Sequence, residues 1–482
     1  MSAFPTHVFI KYDIRGVYGE EITEDLAYAI GFAFGEMCVK RSGLTDPRVT
    51  VGMDARLHSP PLKEFLVKGL VKAGCRIVDL GMCPTPLVYY SAFTLEPDGF
   101  AMVTASHNPP GDNGFKLGIG KDTLHSEEIE SLGRAAASIS RTEDEPVPHE
   151  FESVDIISMY QKDMVQRFPN VSPDLGKIGR PVKVVLDSGN GTAGPVLPWI
   201  MKELGYDVIE LFSEPDGNFP NHHPDPTLPE ALEAIRKAVA ESRAELGISF
   251  DGDSDRIGVI DEAGNILWGD MLLLLLAKDI VREAAKRGGE APIVISEVKA
   301  SQVLYDEVEK MGGSPLMWKT GHSLIKAKMK ETGAVLAGEM SGHMFFADRY
   351  YGYDDALYAG LRLAEVYVKA LASGEVARFS DLLADVPSVF NTPEIRFPSS
   401  DDEKFEKVVN VGRIMKSRME EGIEPRIRQI IDLDGVRVVF DDGWGLVRAS
   451  NTQPVLVMRF ESSNESNLGI YQKVFEEAIK DS

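Results

Sequence analysis

Residues 246–260 read LGISFDGDSDRIGVI. The apolar residues on both sides of the central loop predict two strands, and ligand loops at strand ends are typical of α/β sheets. Within the loop, Asp251, Asp253 and Asp255 place three carboxylates on alternating positions. Such close like charges repel unless a cation lies among them, and carboxylates without Cys or His nearby suit Mg²⁺ best. The stretch therefore predicts a metal site at a strand end.

Two other interpretations of this loop exist. A helix-flanked calcium loop would use the same three Asp residues, with Glu262 at its twelfth position. That loop needs Gly at its sixth position and helices on both sides, whereas this chain has Arg256 there and predicted strands. A solvated acidic turn is the second alternative.

A second polar loop, TASHNPPGDNGFK at residues 104–116, follows the apolar stretch 100–103. Its Gly, Pro and Asn content predicts fixed turns. Ser106, crowded by His107 and Lys116, could be a nucleophile or carry a covalent phosphoryl group, with a plain turn hydroxyl as the alternative. The GxSxG elbow of serine hydrolases is absent here. A phosphoryl group on Ser106 would complete the coordination that three Asp side chains leave open, which indicates phosphoryl transfer.

Two further motifs combine charged and hydrogen-bonding side chains. GEMSGH at residues 338–343 offers a carboxylate, a hydroxyl and an imidazole, which suit the vicinal hydroxyls of a hexose. RASNTQP at residues 448–454 places a guanidinium beside small hydrogen-bond donors, which suits an oxyanion. A short polar turn for the first, and a helix cap or hairpin turn for the second, are the alternatives.

With these four motifs and KYDIRG at residues 11–16, the chain resembles the α-D-phosphohexomutases nearly end to end, and among them the bacterial phosphomannomutase/phosphoglucomutase type. The resemblance implies an active-site phosphoserine and one Mg²⁺ per chain. It also implies interconversion of hexose 1-phosphate and hexose 6-phosphate, of mannose and/or glucose, through a hexose 1,6-bisphosphate that also acts as activator. A phosphoglucosamine mutase is the alternative, followed by a Mg-dependent sugar phosphatase or an inactive sugar-phosphate sensor.

The resemblance also implies roles for individual residues. The metal ligands would be the phosphoserine Ser106 with Asp251, Asp253 and Asp255. The catalytic group would comprise Ser106, His107, Lys116, Arg15, Arg256 and His343, with Lys116, Arg15 or His343 moving the hydroxyl proton. The substrate-binding residues would be Tyr12, Lys299, His322, Glu339, Ser341, His343, Arg448, Ser450, Asn451 and Thr452. Ser254 departs mildly from the family, which usually has Gly or Ala at that position.

Composition is that of an ordinary enzyme. The formal net charge of −24 argues against a nucleic-acid partner, and a sugar phosphate must then be bound by a local cluster of cations. Three cysteines without CxxC spacing, no signal sequence and no membrane-spanning stretch predict a cytoplasmic protein without membrane contact. We expect hexose phosphates as its ligands and a monomer or homodimer.

The predicted fold is α/β, with three related mixed-sheet α/β domains and a C-terminal α+β domain, which the resemblance implies are arranged around a central cleft. Strand, turn and helix recur three times, for example at 49–53 with a helix capped by Ser59 and begun by Pro60. The predicted domains are residues 1–153 with the phosphoserine loop, 154–265 with the metal-binding loop, 266–383 with the sugar-binding loop and 384–482 with the phosphate-binding motif.

Overall fold

The computed structural model describes residues 4–10, 13–140, 151–400, 402–450 and 454–482. The chain forms two compact units, one of Met1–Leu272 with Ser341–Leu382 and one of Leu273–Met340 with Leu383–Ser482. Short 3₁₀ helices lie at Thr6–Val8, Pro229–Leu232 and Phe379–Leu383. Within these ranges, no helix is both long and apolar enough to cross a membrane.

The N-terminal sheet of the first unit mixes parallel and antiparallel pairs. Its strands are β1 (Ile14–Val17), β2 (Arg48–Met53), β3 (Arg76–Met82), β4 (Gly99–Val103), β5 (Asp112–Ile119), β6 (Asp122–Thr123) and β7 (Glu152–Ser153). Its helices are α1 (Glu24–Ser42), α2 (Ser59–Lys72), α3 (Thr85–Thr94) and α4 (Glu127–Ala136). The spatial order is β1-β5-β4-β2-β3-β7, with β6 beside β5. Every residue of β4 is buried, as expected for a strand covered on both faces.

Helices α1 and α2 approach closely through two glycines. A Cβ on Gly31 would lie 2.0 Å from Leu66 O, and a Cβ on Gly69 would lie 2.2 Å from Tyr28 O. Backbone atoms cannot yield to such contacts, so Gly31→Ala would force the helices apart. The separation would open the core that contains Leu66 and Leu70.

The second sheet of the first unit carries the three carboxylates. Its strands are β8 (Lys183–Asp187), β9 (Asp207–Leu211), β10 (Leu246–Phe250), β11 (Ile257–Asp261) and β12 (Ile266–Leu267), and its helices are α5 (Ile156–Arg167), α6 (Val171–Ile178), α7 (Leu197–Leu204) and α8 (Glu233–Ser242). The order is β12-β11-β10-β8-β9, with β10 parallel to β8 and antiparallel to β11. Residues 251–256 join two paired strands, which excludes the helix-flanked calcium loop.

Helix α9 (Gly269–Arg287) leads into the second unit. There β13 (Ile293–Glu297), β14 (Ser314–Trp318) and β15 (Leu336–Gly338) pair in parallel, with β13 in the middle and with helices α10 (Gln302–Lys310) and α11 (His322–Thr332). The carboxyl ends of parallel strands meet at one edge, so the loops after these three strands share that edge. Strand β16 (Met344–Phe346) and helix α12 (Ala356–Ser373) belong to the first unit.

The C-terminal sheet is antiparallel. Its elements are β17 (Phe390–Asn391), β18 (Ile395–Pro398), α13 (Lys404–Glu421), β19 (Ile427–Ile431), β20 (Val436–Phe440), β21 (Gly443–Ala449), β22 (Val455–Ser462) and α14 (Glu465–Lys480). The order is β17-β22-β21-β20-β19, with β18 also paired to β22. Two arginines of this sheet donate to the loop after β13: Arg437 to Val298 O (2.6 Å) and Ala300 O (2.8 Å), and Arg459 to Lys299 O (2.8 Å).

The predicted fold class is confirmed, with α/β sheets followed by an antiparallel α+β domain. One local detail was wrong. Ser59 is the first residue of α2 rather than its cap, and Pro60 is the second. The Ser59 hydroxyl donates to Asp54 Oδ1 (2.6 Å) and accepts from Asn113 Nδ2 (2.9 Å), so its partners lie outside the helix start.

Candidate active site

Ser106 lies buried in the turn after β4, in residues 104–112, here named the Ser106 loop. Its φ is +53°, a left-handed conformation that is uncommon outside glycine. Oγ donates a hydrogen bond to Asp251 Oδ2 (2.6 Å) and lies 3.1 Å from His107 Nδ1. The Ser106 N–H donates to Thr104 Oγ1 (2.8 Å). The hydroxyl is therefore directed at the three carboxylates.

Those carboxylates form the Asp loop, residues 251–256. Asp251, Asp253 and Asp255 are fully buried and each brings an oxygen to within 4.8 Å of the others. Asp251 Oδ1 accepts hydrogen bonds from the N–H groups of Asp255 and Arg256, both at 3.0 Å. These bonds close the turn from inside and fix the spacing of the carboxylates.

Ser254 has an unusual backbone in this loop. Its φ is +66°, a conformation that glycine adopts without strain. The Ser254 Oγ lies 3.1 Å from Thr192 Oγ1, close enough for a hydrogen bond between the two hydroxyls. That bond holds the Ser254 side chain against the segment that carries Thr192.

Lys116 is the cation that contacts the carboxylates. Its Nζ donates to Asp253 Oδ2 (2.7 Å) and to Asp255 Oδ2 (2.5 Å). Although burial opposes its charge, these two carboxylates raise the pKa of Lys116. Burial and the two neighbouring carboxylates raise the pKa of Asp251 well above its usual value. Burial also opposes ionisation of Asp253 and Asp255, but Lys116 lowers both pKa values.

The Asp loop fits a hard divalent cation. In the described part of the chain, the buried Asp253 Oδ1 has no hydrogen-bond partner. A buried carboxylate oxygen without a donor is costly unless an ion binds it. Three carboxylates with no thiolate among them match the oxygen donors that Mg²⁺ prefers.

Sequence reasoning missed two threonines that support Asp253. Thr85 Oγ1 donates to Asp253 Oδ2 (2.6 Å), and Thr85 N–H donates to Asp253 O (2.9 Å). Thr104 Oγ1 lies 3.2 Å from the same Oδ2. Thr104 opens the TASHNPP motif and could have been noticed, whereas Thr85 is 168 positions from Asp253 and carries no local signal.

Arg256 lies between two imidazoles. Its NH1 is 3.4 Å from His107 Nε2, and its Nε is 3.4 Å from His343 Nε2. His343 Nε2 is also 3.2 Å from Asp255 Oδ1, and its Nδ1 is 3.0 Å from Ser341 Oγ. The structure thus brings Ser341 and His343 beside the Asp loop within the first unit.

The surroundings of His107 disfavour the charged form of its imidazole. Burial, followed by the charges of Arg256 and Arg15, holds the pKa of His107 well below its usual value. The ring nitrogen that faces the Arg256 guanidinium must then be the acceptor, so the proton resides on Nδ1. Nδ1–H can donate to Ser106 Oγ while Oγ donates to Asp251.

Arg15 contacts the Ser106 loop from β1. Its Nε donates to Asp13 Oδ2 (2.6 Å), and its NH1 donates to Asn108 Oδ1 (3.0 Å). Burial opposes the charge of Arg15, but Asp13 and Asp253 raise its pKa. Arg15 therefore adds a fixed positive charge next to Ser106.

In the second unit, Glu339 follows β15 and accepts a hydrogen bond from Gly321 N–H (2.6 Å) at the start of α11. Glu297, which sequence reasoning missed, ends β13 and accepts from Met340 N–H (2.8 Å) and Thr320 Oγ1 (2.5 Å). Its buried carboxylate joins the GEMSGH segment to the turn before α11. No local pattern distinguishes Glu297 from any other acid at a strand end.

Lys299 and His322 lie in the same group of loops. Lys299 Nζ is 3.6 Å from Glu297 Oε1 and 3.6 Å from Glu394 Oε2. Burial opposes the charge of Lys299, but these two acids raise its pKa. His322 is the buried first residue of α11.

Arg448 lies near the end of β21, with NH2 3.2 Å from Asp434 Oδ2. Asp434 Oδ2 also accepts from Thr320 N–H (3.0 Å), which places the α11 turn near Arg448. Ser450 N–H donates to Val455 O (3.0 Å) on the paired strand. The predicted substrate residues that lie outside the described residues are Tyr12, Asn451 and Thr452.

Comparison with known proteins identifies the family. Four models of phosphoglucomutase/phosphomannomutase match in chain order: alpha/beta/alpha domains I, II and III at residues 6–143, 158–264 and 268–389, and the C-terminal domain at 394–478. A phosphomannomutase/phosphoglucomutase of Pseudomonas aeruginosa is 43% identical and covers 99% of this chain and 96% of its own. A phosphoglucomutase of Neisseria gonorrhoeae is 38% identical, with coverage of 100% and 98%.

A solved structure of a phosphoglucomutase/phosphomannomutase family protein from Burkholderia thailandensis superposes with a TM-score of 0.85. It is 38% identical and covers 99% of this chain and 97% of its own. The chain therefore belongs to the phosphoglucomutase/phosphomannomutase family, whose enzymes transfer phosphate within a sugar.

Proposed function

We propose that this phosphohexomutase acts on the phosphates of mannose and/or glucose through phosphorylated Ser106 and a hexose 1,6-bisphosphate. The observation that carries the proposal is the Ser106 hydroxyl, held 2.6 Å from Asp251 in a buried set of three carboxylates. A serine in that place can carry a phosphoryl group beside a cation that offsets its charge.

In the first half reaction, the free hydroxyl oxygen of a hexose phosphate attacks the phosphorus on Ser106. The new P–O bond forms as the bond to Ser106 Oγ breaks, and the hydroxyl proton passes to a base. The resulting bisphosphate then reorients, so that its other phosphate faces Ser106. Ser106 Oγ then attacks the phosphorus of the other phosphate as its bond to the sugar oxygen breaks, and the base returns the proton to that oxygen. This step regenerates the phosphoserine and releases the isomeric hexose phosphate.

The Asp loop supplies the electrostatics of transfer. Asp251, Asp253 and Asp255, with a phosphoryl oxygen on Ser106, would hold one Mg²⁺ per chain, which when bound neutralises charge on the transferring group. Arg256 would pair with the transferring phosphoryl group.

The proton on the sugar hydroxyl needs an acceptor in the first unit. Neutral His107 would orient Ser106 Oγ through Nδ1, 3.1 Å away. Of the three side chains predicted to move the proton, Lys116 or His343 would do so. Arg15 keeps its charge, so it would stabilise negative charge near Ser106 instead. These three side chains lie on or beside the loops that hold Ser106 and the carboxylates.

The remaining predicted residues would bind the sugar and the phosphate that is not reacting. Glu339 and Ser341 have the acceptor and donor groups that sugar hydroxyls need. Lys299 and Arg448 supply local positive charge in a chain of net charge −24. Tyr12 would contact the substrate, and the proposed phosphate-binding set is Lys299, His322, Arg448, Ser450, Asn451 and Thr452.

We further propose four functional domains with the bounds 1–153, 154–265, 266–383 and 384–482. Their respective contributions would be the phosphoserine loop, the metal-binding loop, the sugar-binding loop and the phosphate-binding motif. Hexose 1,6-bisphosphate would act as activator, because it can rephosphorylate Ser106 after an intermediate escapes.

Assays of mannose, glucose and glucosamine phosphates, each with Mg²⁺ and a trace of the matching bisphosphate, test the proposal. We expect interconversion of the 1- and 6-phosphates of mannose and/or glucose. A preference for glucosamine phosphates would favour the alternative mutase. Release of inorganic phosphate without isomerisation would indicate a phosphatase, and binding without turnover would indicate a sensor.

A further inference from the structure

We propose that Arg56 is a positioning residue that fixes the backbone of the Ser106 loop in the conformation that directs the Ser106 hydroxyl at the carboxylates. The inference rests on the proposed role of Ser106 as phosphoryl carrier. Arg56 lies outside every motif that the sequence singled out, in the segment between β2 and α2.

The Arg56 guanidinium donates to four carbonyls of the Ser106 loop. NH2 donates to Ser106 O (2.9 Å) and Asn108 O (2.6 Å). NH1 donates to Pro109 O (2.6 Å) and Asp112 O (3.0 Å). Arg56 is only 1% exposed, so water does not compete for these carbonyls. One side chain thus supplies donors along most of the loop.

The Ser106 loop needs such support because Ser106 has a left-handed backbone. A non-glycine residue keeps that conformation only where its surroundings stabilise it. Arg56 donates to the carbonyl of Ser106 itself. On the side of the Asp loop, a Cβ on Gly252 would lie 2.7 Å from the same carbonyl oxygen. The Ser106 carbonyl is therefore confined by Arg56 and by the backbone of the Asp loop.

Arg56 is itself held in place. Asp54 Oδ2 lies 3.2 Å from Arg56 Nε, and Asp54 Oδ1 accepts from Arg56 N–H (3.0 Å). The guanidinium lies 5.3 Å from the centre of the Phe219 ring, and a Cβ on Gly217 would lie 2.6 Å from Arg56 Cα. The segment around Phe219 therefore covers the guanidinium from the side of the second sheet.

Lysine cannot replace these contacts. An ammonium presents its donors from one nitrogen, whereas the guanidinium fork donates from two nitrogens to carbonyls in different directions. Arg56→Lys keeps the charge near Ser106 and removes the fork. This variant therefore separates the positioning role from a general effect of positive charge.

The experiment compares wild type, Arg56→Lys and Arg56→Met with the matched control Arg362→Lys. Arg362 is also a buried arginine of the first unit, but its partner is Asp348, through NH1 (2.8 Å) and NH2 (3.0 Å). Turnover is measured with sugar phosphate and Mg²⁺ varied separately. Hydrogen exchange is measured at the Ser106 loop, where Asn108 N–H donates to Ala105 O (2.9 Å) and Asp112 N–H to Pro109 O (3.0 Å).

For both Arg56 variants we expect kcat to fall at least about tenfold, since a misplacement of about 1 Å can cost on the order of a hundredfold. KM and the Mg²⁺ requirement should change less than about twofold, and exchange should accelerate within the Ser106 loop. Arg362→Lys should lose thermal stability without these local effects.

Unchanged kcat and loop exchange in folded Arg56→Lys would overturn the proposal. Faster exchange throughout the first unit, matched by Arg362→Lys, would also overturn it, because the role would then be structural. If wild type carries no phosphate on Ser106 during turnover, the proposed function fails, whereas loop exchange still decides whether Arg56 fixes the loop. If Arg56→Met does not fold, the comparison of wild type with Arg56→Lys tests the proposal.

Discussion

Ser106 Oγ donates a 2.6 Å hydrogen bond to Asp251 Oδ2 across 145 positions of sequence. The bond joins the end of β4 in one sheet to the end of β10 in another. Phosphorylation of Ser106 would remove the hydroxyl proton that makes this bond. Two anions would then face each other, so the phosphorylated state depends on the cation that the Asp loop is suited to bind.

Ser106→Ala should lower mutase turnover by orders of magnitude because the phosphoryl carrier is lost. Intact-protein mass should detect a phosphate adduct on wild type that maps to Ser106 and is missing from the variant. Ser138→Ala, at an exposed serine of the same domain, is the control and should keep full activity. A fully active Ser106→Ala protein would disprove the assignment.

Asp253→Asn should weaken Mg²⁺ binding and turnover together, because an amide is a poorer ligand than a carboxylate and a poorer partner for Lys116. Titration of turnover with Mg²⁺ should give a half-saturation concentration raised by about tenfold or more, which corresponds to about 1.4 kcal/mol. Asp207→Asn, at an exposed position of β9, is the control. Full wild-type activity in excess chelator would contradict the prediction.

Glu339→Ala should depress the use of mannose and glucose phosphates while inorganic phosphate still binds. The carboxylate contacts the turn before α11 but would serve the sugar hydroxyls rather than the phosphate. Turnover and calorimetric binding of phosphate would separate the two effects. Glu331→Ala, at an exposed acid of α11, is the control. Equal loss of phosphate binding and sugar-phosphate turnover would argue against this division.

Arg448→Ala should impair the forward and reverse reactions alike, because the phosphate that is not reacting is the 1-phosphate in one half reaction and the 6-phosphate in the other. Charge-assisted hydrogen bonds contribute about 1.5 to 3 kcal/mol, so kcat/KM should fall by about ten- to a hundredfold. Labelled bisphosphate should also escape more often. Arg413→Ala, at an exposed arginine of α13, is the control. A loss in one direction only, without added escape, would assign Arg448 to a single substrate pose.

His222 predicts a pH dependence of stability. Its Nε2 lies 3.1 Å from both carboxylate oxygens of Asp187, and its Nδ1 lies 2.9 Å from His223 O, so both nitrogens face acceptors. Burial opposes the imidazolium, but Asp187 outweighs it and raises the pKa of His222. The His222–Asp187 pair therefore stabilises the folded state fully at pH values below the pKa of His222 in the unfolded chain, about 6.5. This stabilisation is lost as the pH rises through the pKa of His222 in the folded protein.

Melting temperatures of wild type and His222→Gln, compared from acid to alkaline pH, test this dependence. Wild type should melt at a higher temperature than His222→Gln, and this difference should be largest below about pH 6.5 and smaller at higher pH. An advantage that grows with pH would reverse the sign of the prediction.

The sequence predicted most of what depends on local pattern. Strand ends, the Asp loop and the Ser106 loop follow from short runs of apolar and polar residues, and the family and mutase chemistry inferred from four motifs are confirmed by relatives that match the whole chain. The assigned roles of individual residues remain predictions.

The supporting contacts could not be predicted in the same way. Thr85, Arg56 and Glu297 act on atoms that only the tertiary fold brings near them. The side chains of Arg56 and Glu297 bind backbone groups. Because every residue type has these groups, the partner's identity in the sequence does not indicate the contact. The prediction that Ser59 caps α2 was wrong for a related reason. Its hydroxyl bonds to Asp54, and the residue pattern at a helix start does not indicate that partner.

The contacts of Arg437 and Arg459 constrain how this enzyme can be recombined with its relatives. A chimera that takes the C-terminal sheet from a protein without arginine at both positions would leave the carbonyls of Val298, Lys299 and Ala300 without donors. Each buried carbonyl left unpaired costs about 1 to 3 kcal/mol. Exchange of substrate preference by domain grafting should therefore keep arginine at positions 437 and 459 of the grafted sheet, so that these three carbonyls stay paired.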